Sequence, residues 1–103
     1  MAELVVYAVL ANDQVPVIKF GRTKRLARRL TELSREYPNE LKLLGSVSGG
    51  NALEQMIHGS LDKHRLFGEW YRYEGWAKTV ARLICMDRLD LLYKYLDKIS
   101  ALR

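Results

Sequence analysis

The sequence predicts a small α/β fold, of the α+β kind, in which a mainly antiparallel sheet carries helices. Three observations lead there. The N-terminal stretch holds two short β-branched runs separated by a turn signal. An apolar pattern at helical spacing follows, and then a third strand-like run. From Trp76 onward there is no Gly or Pro, and two apolar stripes recur at helical spacing.

Leu4 to Leu10 is β-branched and aromatic but too short for a helix, so it reads as a strand buried on both faces. Asn12-Asp13 supplies turn chemistry. Val15 to Phe20 reads as a second strand, with Pro16 at its start or edge because proline has no donor N–H. Gly21 ends that strand. Thr23 is the expected N-cap of a helix running to about Glu36, with Leu26, Leu30, Leu33 and Tyr37 on its core face. Pro38-Asn39 stops it. Leu41 to Val47 is the third strand. A second helix starts at Asn51 and presents Leu53, Met56, Ile57, Ser60 and His64 on one side. Gly68 breaks the chain before the extended, aromatic Glu69 to Tyr73. Val80, Leu83 and Ile84 form one stripe, and Leu89, Leu92, Tyr93, Leu96 and Ile99 another, with Asp87 capping a fresh helix between them. The order β-β-α-β-α plus C-terminal helices suits one domain over 1–103, with a core at about 4–73 and a helical extension at about 76–103.

About half of the 103 residues are apolar, enough for one core. No apolar run approaches the roughly 20 residues that span a bilayer. Met1-Ala2-Glu3 lacks a basic signal start. The single cysteine, Cys85, excludes an intrachain disulfide, and no metal-type Cys/His spacing is present. Cytoplasmic residence is the expectation. Net charge is +5 with a pI near 9.5, which favours polyanionic partners. That charge is local: Lys19, Arg22, Lys24, Arg25, Arg28 and Arg29 fall in one stretch without an acidic residue.

The basic junction has a physical logic. A helix start carries partial positive charge and unpaired N–H groups. Lys24 and Arg25 in a first turn are unfavourable unless an anion docks there, and phosphate suits all three features. The bland alternative is a solvated basic face. Arg29 sits at the edge of the leucine face, where a guanidinium either meets a phosphate in bidentate fashion or snorkels to solvent. Glu54 and His58 are four residues apart on one helix face. Glu54 suits Mg²⁺, and His58 suits proton movement or phosphate contact. Alternatively, Asn51 to Glu54 is a capping box and His58 an exposed histidine. His64 reads as a hydrogen-bonded core histidine. Tyr7 shares a face with Val5 and Val9 and reads as core, and Lys19 as a solvated strand edge. Trp70, Tyr71 and Tyr73 either stack on bases or close a core, and Trp70 favours packing. Trp76 packs, and Cys85 is inert.

Together these positions resemble the GIY-YIG endonuclease superfamily. Val5-Val6-Tyr7 corresponds to "GIY" with only the tyrosine kept, and Lys19-Phe20-Gly21 to "YIG" with only the glycine kept. Phe20 to Leu30 looks like the glycine-to-arginine segment, and Ala52 to His58 like the helix carrying the metal-binding glutamate. K-x-G-R-T, then E-x-x-x-H, then G-E-W resembles the small phage-type branch, where lysine replaces the second tyrosine. The late family asparagine has no counterpart near Glu69-Trp70-Tyr71.

The resemblance implies a three-stranded antiparallel sheet with flanking helices. It also implies phosphodiester hydrolysis in DNA, with RNA left open, and one Mg²⁺ or Mn²⁺. Carried over, Tyr7 is general base or water-positioner, Arg29 stabilises developing charge, and Glu54 holds the metal. Lys19 or His58 replaces the missing tyrosine. Arg22, Lys24, Arg25, Arg28 and Tyr71 are the expected nucleic-acid contacts. Two alternatives stay open: a binding module without chemistry, and a protein–protein or inhibitor module. The chain is expected as a monomer or as a homodimer through its C-terminal helices.

Overall fold

Alternation along the first strand sorts its residues onto two faces, and helices cover both. The computed structural model describes residues 3–12, 14–37 and 40–102. Strand β1 (Val5–Ala11) pairs antiparallel with β2 (Val17–Thr23) on one side and β3 (Leu41–Ser48) on the other. Two short strands, β4 (Arg65–Phe67) and β5 (Trp70–Arg72), extend the sheet to the order β3-β1-β2-β5-β4. All the pairings are antiparallel. Among the described residues the expected three strands are therefore five. The added hairpin has strands of only three residues, and β4 is exposed throughout, so it carries no apolar alternation to read. Gly68, at φ +53°, makes its turn.

Val6 and Ala8 of β1, with Ile18 and Phe20 of β2, face the main core. That core is closed by α2 (Asn51–Ser60), α3 (Gly75–Cys85) and α4 (Leu89–Ser100). Tyr7 and Val9 face the other way and pack against Leu26, Leu30 and Leu33 of α1 (Leu26–Glu36). Burial on both sides is why β1 is apolar throughout. Among the described residues, no helix is long and apolar enough to cross a membrane.

Several expected boundaries shift, each for a local reason. Strand β2 does not end at Gly21 but continues to Thr23. Gly21 pairs with Tyr7 across the ladder, and a Cβ there would lie 2.4 Å from the Tyr7 hydroxyl oxygen. It is glycine because an aromatic ring crosses it, not because the strand stops. Thr23 does not cap α1: its hydroxyl accepts the Arg25 N–H at 3.0 Å, and the N-cap is Arg25, without a side-chain cap. Lys24 and Arg25 thus precede the first turn, which instead holds Arg28 and Arg29.

Asn51 does not cap α2 either. The N-cap is Gly50, whose carbonyl accepts the Glu54 N–H at 3.0 Å. Asp87 closes α3 rather than opening α4. It lies at φ +54°, its N–H bonds the Ile84 carbonyl, and the Arg88 N–H bonds the Leu83 carbonyl. This is the Schellman pattern with aspartate in the left-handed position. His64 lies beyond α2 in a 3-10 turn (Asp62–His64), edge-on to Trp76. Met56 and Tyr93 lie at the exposed margins of their helices. Leu92, Leu96 and Ile99 of the last stripe are buried in the chain's own core. Asp13 and Pro38-Asn39 lie outside the described residues.

Gly21→Ala drives a methyl group into the buried Tyr7 ring. Overpacking of this kind costs about 1–3 kcal/mol. Chemical denaturation is expected to show a lower midpoint with an unchanged slope.

Candidate active site

The packing of α2 determines what its flank presents. Leu53 and Ile57 enter the core, which leaves Glu54 and His58 at the border of the apolar face. Both are buried, at 6% and 8% exposure. Along β2, alternation turns Lys19 and Gly21 toward the α1 side and Arg22 toward α2. Glu54 Oε1 accepts a hydrogen bond from Arg22 Nε at 3.2 Å. The capping-box reading of Glu54 is therefore overturned: α2 has no side-chain cap, and the carboxylate points to Arg22.

Glu69 joins the two sides of the site. It immediately precedes β5, where the register places it one step past the last pair, Lys19 with Trp70. Lys19 Nζ donates to Glu69 Oε1 at 2.9 Å, and His58 Nε2 lies 3.5 Å from Glu69 Oε2. On the far side of the imidazole, Nδ1 is hydrogen-bonded to the Tyr71 hydroxyl, and the two rings stack at 5.5 Å. Neither Lys19 nor His58 is the solvated residue of the bland reading, because both are buried.

Arg29 projects from the first turn of α1 and donates from Nε to the Tyr7 hydroxyl at 3.4 Å. Its Nη1 reaches Glu32 at 3.5 Å. Arg28 pairs with Glu32 across one turn at 3.7 Å and stays exposed, as do Arg22, Lys24 and Arg25. Tyr71 is fully buried in the main core, so it is not a stacking surface for bases. The structure thus gathers Tyr7 with Arg29, and Glu54, His58 and Lys19 around Glu69.

Electrostatics link these groups. Burial raises the Tyr7 pKa, while the Arg29 hydrogen bond and charge pull it down and Glu69 and Glu54 add to the rise. Tyr7 is a neutral phenol at pH 7. The Tyr7 hydrogen bond raises the Arg29 pKa further, against burial. Burial lowers the His58 pKa although Glu69 and Glu54 oppose it, so the imidazole is neutral. Burial pushes Glu69 up, but Lys19, with His58 and Arg29, outweighs it and leaves the carboxyl below its ordinary value. Burial pushes the Tyr71 phenol up to about 12.

Glu54, His58 and Glu69 each offer a ligand atom, and these atoms lie within 4.8 Å of one another. His58 Nε2 is buried and lacks a hydrogen-bond partner among the described residues. Two carboxylates and an unpartnered ring nitrogen are a donor set that fits a divalent cation. Sequence reasoning gave Glu69 no role. Its signals were its place in the Gly68-Glu69-Trp70 motif and a carboxylate set beside Trp70 and Tyr71 in an aromatic segment.

Fold and site define a small α+β domain with a charged cluster between β2, α2 and the start of β5. Residues 5–86 match the T5orf172 domain, and the chain belongs to that family. The match runs from β1 to just past α3 and leaves α4 outside. No curated protein and no solved structure matches the chain.

The depressed His58 pKa has a stability consequence. The unfolded chain takes up this proton near pH 6.5, before the folded chain does. Stability is therefore held above about pH 6.5 and falls as pH drops toward the folded value. Thermal melts between about pH 7 and pH 5 should show this decline, and His58→Gln should flatten it.

Proposed function

We propose that the chain is a divalent-metal-dependent nuclease of the GIY-YIG kind, acting on phosphodiesters in DNA. The observation that carries this reading is Glu54, a buried carboxylate that leaves its own helix uncapped and joins a charged cluster. Family membership supports a nuclease-like or nucleic-acid-binding domain in general terms.

Each residue then has a task. Arg22, Lys24, Arg25 and Arg28 are exposed cations that draw in the phosphate backbone. Arg29 stays charged and stabilises the negative charge that develops on the phosphorus oxygens. Tyr7 keeps its proton at neutral pH, so it orients the attacking water rather than deprotonating it. Lys19 stands in for the missing tyrosine and turns from Glu69 toward the phosphate. His58, neutral and backed by Tyr71, accepts and returns a proton at Nε2 as long as no ion is bound to that nitrogen. Glu54 would hold Mg²⁺ or Mn²⁺, which when bound supplies Lewis-acid stabilisation of the phosphoryl oxygens.

A second reading is a nucleic-acid-binding module without chemistry. One observation favours it: Glu54 and Glu69 are each already paired with a cation, Arg22 and Lys19.

Plasmid cleavage with Mg²⁺ or Mn²⁺ separates the two. Glu54→Gln and Arg29→Ala are each expected to slow cleavage by about 10²-fold or more while DNA binding persists. Wild-type protein that cuts neither DNA nor RNA with any of these metals, yet binds in a salt-sensitive way, decides for the second reading. In either case Lys24→Ala with Arg25→Ala is expected to flatten the salt dependence of DNA binding. The log–log slope should drop by roughly 0.9 for each phosphate no longer neutralised, as read by fluorescence anisotropy.

A further inference from the structure

We infer that Glu54, His58 and Glu69 form a three-ligand site for a borderline first-row divalent ion of the Co²⁺, Ni²⁺ or Zn²⁺ class, a proposal that rests on the nuclease reading for its setting. Tyr71 is the positioning residue that turns the imidazole toward the ion.

The starting point is an orphan. Among the described residues His58 Nε2 is buried without a hydrogen-bond partner, the Glu69 carboxylate standing 3.5 Å away, on a side chain that is itself almost fully buried. A buried polar atom left unpaired is costly and uncommon. Nδ1 is taken by Tyr71, so Nε2 is the nitrogen left to meet the carboxylates.

Spacing supports the set. Metal bonds of about 2.1 Å place two ligands on one ion no more than about 4.2 Å apart. Here the donor atoms lie within 4.8 Å of one another. Side-chain movements of under about 1 Å therefore close the set, given those bond lengths.

The imidazole decides the metal class. Mg²⁺ takes oxygen ligands, whereas a ring nitrogen favours Co²⁺, Ni²⁺ and Zn²⁺. A hydroxyl both donates and accepts, so Tyr71 can accept a hydrogen bond from Nδ1–H and leave the Nε2 lone pair for the ion. Tyr71 is fully buried, with its hydroxyl on Nδ1 and its ring stacked on the imidazole, so it holds the ring orientation. Two carboxylates and a neutral imidazole match the charge of a divalent ion. Lys19 and Arg22 now hold those carboxylates, so they compete with the ion.

The test uses the full chain, ¹⁵N-labelled, titrated with ZnCl₂ alone and in parallel with MgCl₂ alone. The sequence has two histidines, so His64 is the internal reference for ring ¹⁵N spectra. Zn²⁺ is expected to shift His58 Nε2, fix the Nδ1-protonated tautomer and leave His64 unchanged. Mg²⁺ at the same concentration leaves both rings unchanged. Glu69→Gln, at a half-exposed position that tolerates the change, should weaken Zn²⁺ binding about 10-fold or more. Lys19→Met, which removes a competing cation, should tighten it. Zn²⁺ that moves no His58 resonance, or moves His64 equally, overturns the site. So does a Glu69→Gln variant that binds Zn²⁺ as wild type does. An active Mg²⁺ nuclease without a His58 shift sinks this inference and spares the nuclease reading. An inactive protein with the His58 shift does the reverse.

Discussion

The Tyr7 ring lies across Gly21 on the neighbouring strand, and no side chain fits between them. This contact fixes where the Tyr7 hydroxyl can go, and the hydroxyl in turn meets Arg29. Arg29 belongs to α1, which is clamped to the same sheet face through Leu33 against Val9 and Tyr7. The position of the helix and the position of the arginine are thus set by one packing layer. On the opposite face, Leu53 and Ile57 do the same for α2 and hold Glu54 and His58 in place. The site is where these two layers meet beyond the short end of β5.

Periodicity made the large elements legible. β1 reads as buried on both faces because both faces are covered, and the leucines of α1 recur because one stripe faces the sheet. The family resemblance named Tyr7, Arg29, Glu54 and His58, and the structure pairs Tyr7 with Arg29 and sets Glu54 beside His58. What failed was punctuation. Gly21, Thr23, Asn51 and Asp87 all have residue types that end or cap elements, and none takes the place expected of it here. Gly21 yields to an aromatic ring, Thr23 turns the chain before the helix, and Asp87 takes a left-handed backbone. These choices are made by neighbours distant in sequence or by the chain's exit path, so a local rule does not find them.

Two residues show the same limit at the site. Tyr71 has the composition of a base-stacking residue, but Phe20 and His58 enclose it and turn it into a buried partner for an imidazole. Glu69 looks like a solvated acid beside aromatics, but the register of β5 sets it between Lys19 and His58. Burial and register are properties of the assembled sheet, and neither is written in the segment itself.

The pairing of Glu54 with Arg22 and of Glu69 with Lys19 has one more consequence. Buried carboxylates without a countercharge destabilise a fold strongly, and many small metal-binding domains collapse when their ion leaves. Here the countercharges are built into β2, so an empty site leaves no naked charge behind. Folding is thereby decoupled from occupancy. On the metal-site proposal, the domain would keep its native form whether or not a cation is bound.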